Sequence, residues 1–234
     1  MEYVFRGQDH YDKAISLKPD YAQAYRNRGN ALLDLTRLGD AVASYEQALA
    51  IDPDLEFLFG MYLHTRMKLC DWHALPDALR RLEADIASAK PVTAPFPVLA
   101  LIDSPQLQKQ AAEIYAQAKH PRNHALGPIS MRSTGGKIRV GYYSADFHNH
   151  ATAYLMAELF EAHDADKFEL YGFSFGPDKQ DEMRARVSGA FDKFYDVRGK
   201  SDREIAQLSR DMGIDIAVDL KGYTQGARRC PRTC

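Results

Sequence analysis

Tyr11-Asp-Lys-Ala14-Ile-Ser-Leu-Lys-Pro19-Asp20 aligns with Tyr45-Glu-Gln-Ala48-Leu-Ala-Ile-Asp-Pro53-Asp54. Tyrosine, alanine and proline each recur after 34 positions. The segment between them completes one unit of that length. Tyr25 supplies a large aromatic to a first helix, Gly29 a point of close approach, and Leu32 continues the apolar stripe at helical spacing. Gly39 is expected to end that helix, as glycines do just past helix ends. Ala41, Tyr45 and Ala48 pack a second helix, and Pro53 closes the unit because proline cannot continue a helix interior.

A period of 34 residues built from two helices is that of the tetratricopeptide repeat. Residues 1–20 read as the second helix of an earlier, partial unit, so residues 1–54 form the repeat region. Stacked repeats need about three neighbours to bury a continuous core, and one whole unit with part of another implies a longer array in the intact protein. Residues 55–119 stay helical but leave the consensus. Leu55, Leu58, Phe59, Tyr62, Leu63 and Met67 form one stripe, and Leu75, Leu79, Leu82 and Ile86 another. Cys70-Asp-Trp72-His73 reads as a helix junction with a buried tryptophan. Pro91, Pro95 and Pro97 break the chain, and Asp103-Ser104-Pro105 caps a helix running to Lys119.

Residues 120–136 carry two prolines and three glycines with little periodicity, the composition of a linker. Beyond them the pattern alternates. Strands are predicted at 138–143, 168–175, 194–197 and 214–220, with helices at 152–163, 180–191 and after Ser201-Asp-Arg-Glu204, a capping-box match. Leu155, Met156, Leu159 and Phe160 are expected to form the buried face of the first of these helices. The alternation predicts a parallel Rossmann-like βαβ half-domain over 137–228.

The overall charge of −2 gives no general attraction to nucleic acid or to an anionic membrane. No apolar run is long enough to span a bilayer or to act as a signal peptide. Three cysteines, two of them in the last five residues, do not make a disulfide framework. These features predict a soluble cytoplasmic protein.

Ligands of open parallel sheets bind beyond the carboxyl ends of the strands, and two loops there stand out. One is Ser144-Ala-Asp146-Phe-His148-Asn-His150-Ala-Thr152, and the other is Lys221-Gly-Tyr223-Thr224-Gln-Gly-Ala-Arg228. Neither a dinucleotide glycine fingerprint nor a P-loop is present. Asp146, His148 and His150 suggest a metal site by their H-x-H spacing, but only His163 follows as a further histidine.

IRVGYYSADFHNHATAYLM (138–156) and DLKGYTQGAR (219–228), preceded by the repeats, resemble glycosyltransferase family 41, the O-GlcNAc transferase and SPINDLY-related group. His148, Ala151 and Tyr154 look like its bacterial form. The resemblance implies a GT-B architecture of two Rossmann-like halves. It also implies transfer of GlcNAc from UDP-GlcNAc to serine or threonine with inversion, using no metal and no cofactor beyond the nucleotide sugar. Acceptor proteins would bind through the repeat groove. SPINDLY-type relatives make fucose an alternative donor sugar, and a non-enzymatic repeat scaffold is a further alternative.

By the same resemblance His150 is the active-site histidine of a D-F-x-N-H motif, and Gly222, Tyr223 and Thr224 lie near sugar and acceptor. A neutral imidazole, with its ordinary pKa of about 6.5, can take a hydroxyl proton at neutral pH. The purely structural role open to His150 is hydrogen bonding at a helix N-terminus; for Thr224 it is satisfying a turn. Residues 229–234 depart from the family pattern, so the chain is expected to be an N-terminal piece, a truncated GT-B, that is inactive alone.

Overall fold

The computed structural model describes residues 2–121, 126–129 and 135–224, the first seven of these by backbone alone. Residues 225–234, which include the end of the second loop, Cys230 and Cys234, lie outside the described residues. The chain divides into two compact units, residues 1–121 and 122–234.

The first unit is helical: α1 (Glu2–Leu17), α2 (Ala22–Asp34), α3 (Leu38–Ile51), α4 (Phe59–Lys68), α5 (Leu75–Ala87), α6 (Pro95–Leu101) and α7 (Pro105–Lys119). Helices α2 and α3 are the repeat predicted from the 34-residue period. Gly29 on α2 meets the ring of Tyr45 on α3, where a Cβ would lie 2.3 Å from Cε1. Tyr45 is fully buried beside Leu32, Ala41, Ala48 and Leu58, and its hydroxyl donates to Asn30 Oδ1 at 2.9 Å. The turn between the two helices departs from expectation. Gly39 lies inside α3, and Thr36 takes the left-handed conformation at φ 59°.

Beyond the repeat, Leu63, Leu82, Ile86 and Val98 are fully buried in a second cluster joining α4 to α7. Each such side chain contributes roughly 1.5–3 kcal/mol of burial. Two further departures from expectation concern the prolines and Trp72. Pro95 opens α6, and Pro97 sits within that helix, as proline is tolerated where amides have no intrahelical partner. Trp72 is 55% exposed, because the α4–α5 junction is held by Arg66 instead. Its guanidinium donates to Asp71 Oδ2 and to the His73 carbonyl, both at 2.7 Å. Ser104 caps α7 as predicted, its hydroxyl accepting the Leu107 amide at 3.4 Å.

The second unit alternates β1 (Ile138–Ser144), α8 (Ala151–Glu161), β2 (Phe168–Ser174), α9 (Glu182–Gly189), β3 (Lys193–Asp196), α10 (Asp202–Asp211) and β4 (Ile216–Asp219). All pairings are parallel, in the order β3-β2-β1-β4. Alternate residues of β1 feed the two faces. Val140 and Tyr142 pack with Ala153, Ala157 and Phe160 of α8 and with Met183 and Val187 of α9. Tyr143 packs with Ile205 and Leu208 of α10. Strand-by-strand growth thus runs from β1 through β2 to β3, then reverses to place β4 on the other side of β1. Such a reversal opens a crevice at the carboxyl ends of the two strands flanking it.

The capping box at Ser201 and Glu204 forms as predicted. On α8 the expected apolar face is rotated. Ala153, Ala157 and Phe160 face the core, whereas Leu155 and Leu159 are exposed, the former at 81%.

Candidate active site at the strand-order reversal

The carboxyl ends of β1 and β4 lead into the two loops singled out in the sequence. The first leaves β1 through a tight turn, in which Ser144 Oγ accepts the Asp146 amide at 2.9 Å and the Asp146 carbonyl accepts the His148 amide at 2.8 Å. This turn directs Asp146 inward, 7% exposed. The Asn149 amide donates to Asp181 Oδ2 at 2.9 Å, while Asp181 Oδ1 caps α9 at the Arg184 amide. One carboxylate therefore ties the loop after β1 to the helix after β2. Behind it, Gly176 permits direct backbone approach; a Cβ there would stand 1.7 Å from the Ala145 carbonyl oxygen.

Arg184 completes this floor. Its guanidinium lies 4.6 Å from the centroid of the Phe194 ring and donates to Ser174 Oγ at 2.5 Å and to the Phe147 carbonyl at 3.3 Å. Burial lowers its pKa from the usual arginine value. His148 is equally enclosed at 7% exposure. Burial, with Lys179 adding to it, pushes its imidazole below the ordinary histidine range against the pull of Asp146 and Asp181.

The second loop continues the β1–β4 ladder with the Leu220 amide on the Tyr143 carbonyl at 3.1 Å. Asp219 Oδ1 then accepts the amides of Lys221 at 2.9 Å and Gly222 at 3.1 Å. Gly222 takes φ 55°, and Thr224 turns its hydroxyl back onto the Lys221 carbonyl at 2.7 Å. Tyr223 is 37% exposed. The Thr224 hydroxyl is thus engaged by its own turn.

Lys221 joins the loops. Its Nζ donates to Asp146 Oδ2 at 2.8 Å, and both side chains are 10% exposed. His150 stands at the N-cap of α8, where Nδ1 accepts the Thr152 amide at 3.2 Å and lies 3.7 Å from the same Asp146 oxygen. The structure therefore places His150 beside Asp146, with Gly222 to Thr224 directly following the lysine that holds Asp146. Lys221, Asp181 and Arg184 were not singled out by the sequence reading. Lys221 stands inside the second motif and could have been flagged as a cation in an otherwise polar, glycine-rich loop. Arg184 and Asp181 carry no sequence signal of their own.

Among the described residues no group of three or more His, Cys, Asp or Glu side chains could hold a metal ion. The H-x-H spacing does not converge on one point: the His148 and His150 rings are 5.9 Å apart and tilted by 50°, and the ammonium of Lys221 already occupies the inward oxygen of Asp146. No helix among the described residues is long and apolar enough to cross a membrane.

A tetratricopeptide repeat is matched over residues 22–55. The probable UDP-N-acetylglucosamine–peptide N-acetylglucosaminyltransferase SEC of Arabidopsis thaliana is 29% identical over 181 residues, covering 71% of this chain and 18% of that protein. The Caenorhabditis elegans UDP-N-acetylglucosamine–peptide N-acetylglucosaminyltransferase is 32% identical over 99 residues, 40% of this chain and 8% of that protein. The probable transferase SPINDLY of Arabidopsis thaliana is 28% identical over 100 residues, 42% and 11% respectively. The chain thus spans less than a fifth of the length of each of these relatives. In fold it is similar to a mutant O-GlcNAc transferase of Thermobaculum terrenum, with a TM-score of 0.55 at 22% identity over 93% of this chain and 42% of that one. The model of glycosyl transferase family 41 matches residues 113–230, half of the sequence and all of the described site; the chain belongs to that family.

Proposed function

We propose that this chain supplies the acceptor side of a protein glycosyltransferase that moves GlcNAc from UDP-GlcNAc to serine or threonine hydroxyls with inversion. The observation that carries this reading is the meeting of the D-F-x-N-H loop and the G-Y-T loop at the strand-order reversal, tied by Lys221 and Asp146. In the proposed step the acceptor oxygen forms a bond to the anomeric carbon as the bond to the β-phosphate oxygen breaks. UDP leaves with that electron pair, and the hydroxyl proton passes to His150 Nε2. A base so placed accelerates such a step about 10²–10⁴-fold. Gly222 and Tyr223 border the space for sugar and acceptor, and Thr224 fixes the turn that presents them. The reading asks for no metal and no cofactor beyond the nucleotide sugar. Acceptor proteins or peptides would be bound through the groove of the repeat helices, in a cytoplasmic setting, and nucleic acid and membrane have no part in it.

The test joins the chain to the donor-binding half of a family 41 member and follows peptide mass after incubation with UDP-GlcNAc. GlcNAc-modified peptide is expected, unchanged by a metal chelator and reduced about 100-fold or more by His150→Ala. No transfer from any nucleotide sugar would sink the reading; transfer from GDP-fucose alone would move it to the SPINDLY-type alternative.

A further inference from the structure

The base role asked of His150 meets an obstacle in its own hydrogen bonds. A neutral imidazole has one N–H and one lone pair. Nδ1 spends its lone pair on the Thr152 amide at 3.2 Å, so the proton resides on Nε2, and the nitrogen that would face an acceptor is a donor. To act as a base at Nε2, the ring must carry its proton on Nδ1 and give it to an acceptor there. Asp146 Oδ2 is the nearby candidate, but 3.7 Å is too long for a hydrogen bond. That oxygen is held at 2.8 Å by the Lys221 ammonium, arriving from the other loop.

From this geometry we infer that Lys221 is a positioning residue that sets the tautomer of His150 through Asp146. While Lys221 holds Oδ2 at 2.8 Å, that oxygen stands 3.7 Å from the imidazole, beyond hydrogen-bond reach, and the N-cap bond keeps His150 in the Nε2–H form. When the ammonium leaves, Oδ2 is free to close on Nδ1 and accept its N–H. The α8 cap is then given up, and Nε2 gains the lone pair that proton acceptance requires. Cap and base are mutually exclusive states of one ring, and the lysine selects between them. The functional meaning rests on the transfer reading above, but the tautomer itself does not.

The test is a long-range proton–nitrogen NMR correlation of the imidazole rings in the 234-residue chain above about pH 8, where an ordinary histidine is neutral. His163 serves as an internal reference. Its Nδ1 faces the Leu159 carbonyl at 2.6 Å and its Nε2 the Tyr142 hydroxyl at 3.1 Å, which fixes it as Nδ1–H. Wild-type His150 is expected as Nε2–H. Lys221→Met should move its tautomer ratio about tenfold toward Nδ1–H, the size of one charge-assisted hydrogen bond, with His163 unchanged; Lys221→Arg should retain the wild-type form. Asp146→Asn, which removes the anionic acceptor, should leave His150 as Nε2–H. Wild-type His150 found as Nδ1–H overturns the inference, whether or not the methionine variant folds. So does an unmoved ratio in Lys221→Met with His163 intact, or a shift in Asp146→Asn. None of these outcomes depends on sugar transfer, so failure of the inference and failure of the proposed activity are read separately.

Discussion

In the helical unit Gly29 lies against the ring of Tyr45, sixteen residues along the chain; in the sheet unit Gly176 lies against the carbonyl of Ala145, in a loop of a different strand. The two contacts differ in what would have to move. A ring can tilt within its pocket at the cost of a hydrogen bond. A carbonyl cannot move without its loop, and this loop carries Asp146 and His150. Packing in the repeat is therefore a matter between neighbouring side chains, whereas packing at the sheet's carboxyl edge is a matter of backbone, and the candidate site is built on that backbone.

Gly176→Ala should have the largest effect. The overlap with Ala145 forces the loops after β1 and β2 apart, and overpacking of this kind costs about 3 kcal/mol or more where nothing can relax. Hydrogen exchange resolved by peptide should show loss of protection over 144–150 and 174–184. Gly29→Ala should cost less, about 1–3 kcal/mol, because Tyr45 can shift and give up Asn30, and the change should appear over α2 and α3. Equal costs for the two substitutions would break the contrast. Ser201→Ala should be smaller still, about 1 kcal/mol, since it removes one capping box at the start of α10 and leaves both site loops in place. A larger loss there would mean that the α10 cap supports more than its own helix.

The same contrast explains what could be read from sequence. The repeat was legible because its contacts recur at a fixed separation, so Tyr11 with Tyr45 and Pro19 with Pro53 announce it. The parallel sheet was legible from alternation, and the capping box from four residues. Gly39 misled because left-handed backbone was assigned to the residue type that favours it, and Thr36 adopts it instead. Trp72 misled because size was equated with burial, while a buried arginine holds that junction. Leu155 and Leu159 misled because two stripes on α8 are apolar, and alanines with Phe160 fit closer to the sheet. Lys221 was not legible as a partner of Asp146. The two are 75 residues apart, and only the strand order, with β4 beside β1, brings them together.

Acid sharpens the comparison with the smallest signal. His64 in the helical unit and His148 in the sheet unit both have pKa values below the ordinary 6.5, His64 through burial and then Lys68, and His148 through burial and then Lys179. A depressed folded pKa means the folded state binds fewer protons than the unfolded state near that value. The stabilising contribution is then full above about pH 6.5 and is lost as pH falls through the folded pKa. Both units should weaken on acidification, with His148 opposed by Asp146 and Asp181 in a way His64 is not. His148→Gln should therefore flatten the loss of exchange protection between about pH 7 and pH 5 in the sheet unit, and His64→Gln should do so in the helical unit. Asp181→Asn is the decisive addition. Removing a carboxylate that favours the imidazolium should depress the His148 pKa further and extend the titration of that unit to lower pH. If the His148 titration instead moves up, electrostatics from the site loops do not govern this histidine, and burial alone accounts for it.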